Sequence, residues 1–287
     1  MNANQRRFVS GNDSKAEQAE RVVRFSRNKR GRDFVIGDIH GTFDLVLAAM
    51  EQAGFNPEID RLFSVGDLID RGNGSHRCAA FLAKPYVHSV RGNHEDMLID
   101  LYAEGTPSPE VLRVVARYNG FNWWLDLPET ERQEILAAIR KLPLAIEIET
   151  DRGTVGVIHA DVPLGMAWCE FLGMLNVGDP AVIKTCLWGR DRLRLGDMTG
   201  VHGVGRLFVG HTPQWGNLTR AGNVYALDTG AVFGQTGIKE EGHLTMAQVM
   251  TRTEVLTAPH RKPGLVNLFD EAVPPDGSFG QYATKAA

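Results

Sequence analysis

Asp33-Phe34-Val35-Ile36-Gly37-Asp38-Ile39-His40-Gly41 is a short apolar run that stops at a glycine and then presents an aspartate and a histidine. The run has the length and the β-branched and aromatic content of a buried strand. The pattern recurs. Arg61-Leu62-Phe63-Ser64-Val65 runs into Gly66-Asp67, and Val87-His88-Ser89-Val90 runs into Arg91-Gly92-Asn93-His94-Glu95. Helical stretches separate the runs, Phe43 to Ala53 and Ser75 to Ala83. The succession is βαβαβ, which predicts a parallel sheet with right-handed crossovers.

Further along, three helices are predicted: Glu95 to Ala103, Pro109 to Arg117, and Thr130 to Lys141 with Thr130 as N-cap. Strands then return at Leu144 to Glu149, Thr154 to Ile158, Leu207 to Val209, Val224 to Leu227, Leu244 to Met250 and Glu254 to Thr257. The second half therefore reads as mainly β, without regular helical crossovers. The fold class is α/β with mixed α+β character: two mixed β-sheets packed as a sandwich and flanked by helices. Residues 32–258 read as one domain. Residues 1–31 read as a polar, basic, flexible leader. Residues 259–287, with Pro263, Pro274 and Pro275, read as an extended tail.

Composition narrows the function. The 287 residues are 43% hydrophobic, enough for a sizeable core, and the formal charge is −4. That balance disfavours a nucleic-acid partner, which selects for basic surfaces. No stretch has the apolar length of a membrane span. The leader lacks the apolar segment of a secretory signal. The three cysteines, Cys78, Cys169 and Cys186, are odd in number and widely spaced. They form neither a disulfide framework nor a Cys-x5-Arg phosphate loop, so reduced cysteines in a cytoplasmic chain are expected.

The strand ends carry the chemistry. Asp38, His40, Asp67, Asn93, His159 and His211 each follow a β-type run, and residues at the carboxyl ends of neighbouring strands converge on one crevice. Taken singly, each is an ordinary turn or hydrogen-bonding residue. Together, imidazole, carboxylate and amide make a donor set suited to manganese, iron or zinc. A carboxylate such as Asp67 can bridge two ions, and two ions form a clamp for in-line displacement at phosphorus.

Gly37-Asp38-Ile39-His40-Gly41, Gly66-Asp67-Leu68-Ile69-Asp70-Arg71-Gly72 and Arg91-Gly92-Asn93-His94-Glu95 resemble the three-block signature of the PPP family of serine/threonine protein phosphatases, its bacteriophage lambda-type and bacterial members in particular. His159-Ala160-Asp161, Trp188-Gly189-Arg190, Gly210-His211-Thr212 and Asp228-Thr229-Gly230-Ala231 extend the match, in family order, over about residues 32–250. The resemblance implies a calcineurin-like metallophosphoesterase fold and two divalent ions, manganese first, with iron or zinc as alternatives. It implies that Asp38 and His40 hold one ion, that Asp67 bridges, and that Asn93, His159 and His211 hold the other. It implies His94 as general acid with Asp70 as its carboxylate partner. Arg71, Arg190 and Asn93 would bind the phosphoryl oxygens, and a metal-bridging hydroxide would attack phosphorus directly. The implied substrate is a phosphorylated protein or peptide bearing phosphoserine or phosphothreonine, with phosphotyrosine or phosphohistidine as extensions. The implied state is a monomer. A symmetrical dinucleoside polyphosphate hydrolase shares the metal core and is the alternative; Asp70 and Glu95 favour the protein phosphatase.

Some residues stay open at this stage. Glu95 reads either as catalytic or as a helix-start acid stabilised by the helix dipole. Asp161 and Asp228 read either as partners of metal-bound histidines or as turn residues. Trp123 and Trp124, adjacent in sequence, must face different ways and read as core or groove wall. The segments 96–142 and 162–205 are expected to wall the cleft.

Overall fold

Neighbouring residues of the first block face opposite ways although all are buried. Phe34 and Ile36 join one apolar cluster, and Val35 joins another. A strand buried on both faces must lie between two packed layers. The computed structural model describes residues 20–215, 218–249, 254–259 and 264–267. The first half of the chain contains β1 (Val22–Phe25), β2 (Asp33–Ile36), α1 (Phe43–Gln52), β3 (Arg61–Ser64), α2 (Cys78–Leu82), β4 (Val87–Ser89), α3 (Asn93–Leu101), α4 (Pro109–Val115) and α5 (Glu129–Ile139). The second half contains β5 (Ala145–Thr150), β6 (Gly153–Ile158), α6 (Trp168–Val177), α7 (Pro180–Trp188), α8 (Asp191–Leu195), β7 (Arg206–Val209), β8 (Thr219–Ala221), β9 (Val224–Ala226), α9 (Ala231–Gln235), β10 (His243–Gln248), β11 (Glu254–Pro259) and β12 (Gly264–Asn267).

The strands form two six-stranded sheets, ordered β1-β5-β6-β7-β9-β8 and β12-β11-β10-β2-β3-β4. Both are mixed. β2, β3 and β4 pair in parallel, as the βαβαβ pattern predicts, while β10 runs antiparallel to β2. Between the sheets, Val35, Phe63 and Val65 meet Ile146, Val157 and Phe208. On the outer face of one sheet, Phe34, Ile36 and Leu62 pack under α1, α3 and α5; on the other, Leu207 and Val209 pack under α6 and α7. Full burial of each such side chain contributes about 1.5–3 kcal/mol. The expected sandwich of two mixed sheets flanked by helices is the observed fold.

Four expectations need correction. Residues 162–205 carry α6, α7 and α8, so the second half is not mainly β. Pro180 at the first position of α7, capped by the Asp179 side chain on Val182 N at 2.9 Å, marks that helix clearly. Thr130 is not an N-cap, because α5 begins at Glu129 after Pro128. The domain begins before residue 32: Val22–Phe25 pairs in parallel with β5, and Val22 is buried. The arginines around these apolar residues hid the strand; Arg24 sits on its exposed side, bonded to Glu147. Past residue 259, β12 pairs with β11 and extends the sheet. The remainder of the expected leader and tail lies outside the described residues. Among the described residues, no helix is long and apolar enough to cross a membrane.

Candidate active site

The loops after β2, β3, β4, β6 and β7 meet at one seam between the sheets. Their backbones are unusual. Six non-glycine residues have positive φ among the described residues, and His40, Asp67, Asp70, Arg71 and His211 are five of them. Such conformations cost about 1–3 kcal/mol each and persist only where the surroundings enforce them. The glycines beside them leave room for side chains that arrive from other loops. A Cβ on Gly210 would lie 1.9 Å from Asp38 Oδ1, and one on Gly92 would lie 2.2 Å from Asp67 Oδ1.

All six expected metal ligands are buried at this seam. Asp67 is central: its Oδ2 is 3.5 Å from His40 Nε2 and its Oδ1 is 3.5 Å from His159 Nε2. Asn93 Oδ1 lies 2.8 Å from His159 Nε2 and 2.7 Å from His211 Nδ1. The Asp38 carboxylate accepts the His211 backbone N–H at 3.0 Å. His94 Nδ1 pairs with Asp70 Oδ2 at 2.6 Å, and its Nε2 is 3.9 Å from Asp67 Oδ2. Arg71 lies against His40 Nε2 and packs over Phe233. Arg190 donates to Thr212 Oγ1 at 3.2 Å. Together, Asp67, Arg71, Asn93, His94, Arg190 and His211 line a cleft of about 210 Å³. Met97 and Asn119 from one expected wall, and Trp188 from the other, complete it. A larger apolar groove of about 550 Å³, between α2 and α5, holds none of these residues.

Charge is out of balance in this seam. Burial, with the charges of Asp228 and Asp67, holds the Asp38 carboxyl well above its ordinary value. Burial pushes Asp228 up to about 6. Burial and the nearby His159 push His211 down to about 2. Asp67 falls the other way, because the surrounding imidazoles outweigh its burial. Burial also works against a charged His94, but Asp67 and Asp70 outweigh it and hold the imidazolium above its usual range. Burial and the charge of Arg194 lower Arg190.

The calcineurin-like phosphoesterase family model matches residues 34–214. The chain belongs to this family. It is 33% identical over 220 residues to serine/threonine-protein phosphatase 1 of Salmonella typhimurium, covering 75% of this chain and 91% of that protein. It is also 33% identical over 129 residues to the symmetrical bis(5'-nucleosyl)-tetraphosphatase of Aromatoleum aromaticum, covering 44% and 43%. In fold it is similar to a solved protein serine/threonine phosphatase of Saccharomyces cerevisiae, with a TM-score of 0.55, 16% identity and coverage of 82% and 78%.

A calcineurin-like phosphoesterase uses divalent metal ions, and the residues of this one fit them. His40 Nδ1 and His159 Nδ1 each contact a backbone carbonyl at 2.8 Å, Ile69 O and Val65 O. Each therefore keeps its proton on Nδ1 and a lone pair on Nε2. Burial lowers both pKa values, so neither ring carries a second proton at neutral pH. The His159 lone pair then faces Asn93 Oδ1 at 2.8 Å and Asp67 Oδ1 at 3.5 Å, acceptor against acceptor, whereas that of His40 meets the Arg71 guanidinium. A cation beside His159 satisfies all three groups. His211 turns Nδ1 toward the same point, 3.2 Å from His159 Nε2 and 2.7 Å from Asn93 Oδ1. Two groups can hold an ion: Asp67 with His159 and His211, and Asp67 with His40 and His94. Asp67 is common to both. His94 differs from the His40 and His159 rings: against its burial, its carboxylate neighbours Asp67 and Asp70 favour the charged form, which has no lone pair to offer an ion.

Two residues of this phosphoesterase act in ways the sequence left open. Glu95 is fully buried, and its carboxylate accepts four backbone N–H groups: Asp67 at 3.0 Å, Leu68 at 2.7 Å, Ile69 at 3.3 Å and Gly92 at 2.8 Å. It is a clasp that joins the second and third blocks. Trp123 donates its indole N–H to Asp70 Oδ1, whereas Trp124 is core and donates to Tyr102 Oη at 3.0 Å. The adjacency of the two tryptophans was the only signal, and it could not say which one faces the site. Asp161 binds Arg192 rather than a histidine, at 3.0 Å from its N–H and 3.2 Å from its Nε. Arg192 is thereby buried away from the cleft, which leaves Arg190 as the arginine of that loop lining it. Asp228 accepts the Gly230 N–H at 3.0 Å, the turn role of its two readings.

Proposed function

We propose that this phosphoesterase is a phosphoprotein phosphatase acting on phosphoserine and phosphothreonine. The observation that carries the reading is the buried pair of His94 and Asp70 at 2.6 Å, open to the cleft beside Asp67. An alkoxide is a poor leaving group and needs a proton as the P–O bond breaks. A nucleoside polyphosphate leaves as a stabilised anion and needs that proton far less. A site that invests a buried ion pair in holding one proton is built for alkyl esters. The similarity to a serine/threonine phosphatase over 91% of that protein supports the same reading.

Asp38, His40 and Asp67 would hold one ion, and Asp67, Asn93, His159 and His211 the second; manganese fits this mixed oxygen and nitrogen set. When bound, the ions activate a water for attack and offset the charge of the phosphoryl oxygens. The chain's own residues supply the rest. Arg71 and Arg190 enter the cleft from different loops, and their planar forks hold two phosphoryl oxygens so that the ester oxygen turns toward His94. His94 then donates the proton on Nε2 to the departing oxygen. Asp70 keeps the ring in register through Nδ1 and favours its charged form.

The test is a comparison of kcat/KM on phosphothreonine and phosphoserine peptides against diadenosine tetraphosphate. The peptides should be hydrolysed faster. Faster cleavage of the dinucleotide would replace this reading with the second one, which the partial similarity to a symmetrical tetraphosphatase keeps in view.

A further inference from the structure

A second cavity adjoins the cleft. It is a trench of about 530 Å³, and Trp188 and Arg190 line both spaces. Two short helices build its cationic wall. Lys184 and Trp188 are one turn apart on α7, so they share a face. Arg190 caps α8, and Arg194, whose N–H bonds to Arg190 O at 3.0 Å, follows one turn later. Lys184 and Arg194 are exposed, and Leu164 and the Trp188 ring, 45% and 43% exposed, present apolar surface between the charges.

The trench is short of negative charge. Of its two carboxylates, Asp161 is consumed by buried Arg192. Asp191 is exposed and stands against three cations. Among the described residues, no salt bridge neutralises Lys184, Arg190 or Arg194; the nearby Asp197 is also taken by Arg192, at 2.6 Å. The chain as a whole carries −4, so this basic surface is a local reversal of the general charge. Most exposed lysines and arginines are simply solvated. These are distinguished by continuity with the phosphoryl cleft and by delivery, from two helices, into one concavity.

Resting on the phosphatase reading above, we propose that this trench binds the peptide flanking the phosphorylated residue and selects acidic flanks: aspartate, glutamate or a second phosphorylated residue. With the phosphoryl group on Arg190, the next cation lies one helical turn away, about 5–6 Å between Cβ atoms. An extended peptide advances about 3.3 Å per residue, so side chains one to three positions from the phosphorylated residue reach Arg194 and Lys184. Their backbone and apolar atoms would lie on Trp188 and Leu164.

The experiment compares one phosphothreonine peptide flanked by glutamates, alanines or lysines, using the metal-loaded full chain. In the wild type, kcat/KM should favour the glutamate flank over the lysine flank by about tenfold or more, and the ratio should shrink as salt rises. In the double variant Lys184→Gln/Arg194→Gln the preference should collapse toward parity, while para-nitrophenyl phosphate, which has no flank, is hydrolysed as before. That last rate shows that the variant is folded and its cleft intact. Indifference of the wild type to flank charge overturns the proposal. So does an acidic preference that survives in the double variant. Diadenosine tetraphosphate outrunning all three peptides would instead overturn the phosphatase reading on which the trench assignment rests.

Discussion

Trp123 donates its indole N–H to Asp70 Oδ1 at 2.8 Å, while the other oxygen of that carboxylate holds His94 Nδ1 at 2.6 Å. The proposed acid of the site, His94, is therefore held at second remove by an aromatic residue that does not line the cleft. Hydrogen bonds to charged groups contribute about 1.5–3 kcal/mol. Trp123→Phe keeps an aromatic ring at the position and removes the donor. We expect kcat on a phosphoserine peptide to fall roughly tenfold, with a much smaller fall on para-nitrophenyl phosphate, whose leaving group needs little protonation. Equal losses on the two substrates would show that Trp123 serves packing alone.

The pH profile follows from the raised pKa of His94. A general acid works only when protonated, so activity on alkyl phosphates should be full below that pKa and fall as pH rises through it. Asp70→Asn removes a carboxylate that favours the charged ring, so the alkaline limb of kcat should move to lower pH. A limb that stays in place after the substitution would mean that another group sets it.

Glu95 should matter for assembly more than for chemistry. Each buried backbone donor left without a partner costs about 1–3 kcal/mol, and Glu95→Ala abandons four of them. That variant should fail to fold stably. Glu95→Gln retains one acceptor oxygen, so it should fold with a lowered Tm and bind less metal per chain, measured by elemental analysis. Wild-type metal content at a clearly lowered Tm would separate the clasp from the site.

Metal removal should destabilise the protein more at pH 7.5 than at pH 5.5. Asp38 and Asp228 have raised pKa values in the fold, Asp228 to about 6. Their contribution without metal is fully present below the unfolded carboxylate pKa and is lost as pH rises through the raised values. Bound cations offset that loss, and they bind the deprotonated ligands best at the higher pH. The drop in Tm on adding chelator, scanned at both pH values, measures this. A larger drop at pH 5.5 would contradict it.

Much of this was legible in the sequence, for a physical reason. A β-type run that ends abruptly in a polar residue is a local signature that survives in any context. Hence Asp38, Asp67, Asn93, His159 and His211 could be located one loop at a time, although only their conjunction pointed to metal. What could not be read depends on distant partners. Val22–Phe25 is short and set among Arg21, Arg24 and Arg27, so it looks solvated until β5 pairs with it. Glu95 carries the same residue type whether it faces water or four amide groups. Trp123 and Trp124 differ only in which way the backbone turns before them, after the left-handed Gly120.

His159 Nδ1 contacts Val65 O at 2.8 Å across 94 residues of chain, joining the end of β6 in one sheet to the end of β3 in the other. Asp38 and His211 are joined in the same way across 173 residues. No contiguous fragment of either half contains a working centre. Contacts of such long sequence separation close late, after the loop entropy between them has been overcome. Half-made chains released during synthesis would therefore be chemically silent, and recovery of hydrolysis during refolding would time the docking of the two sheets rather than the formation of either one.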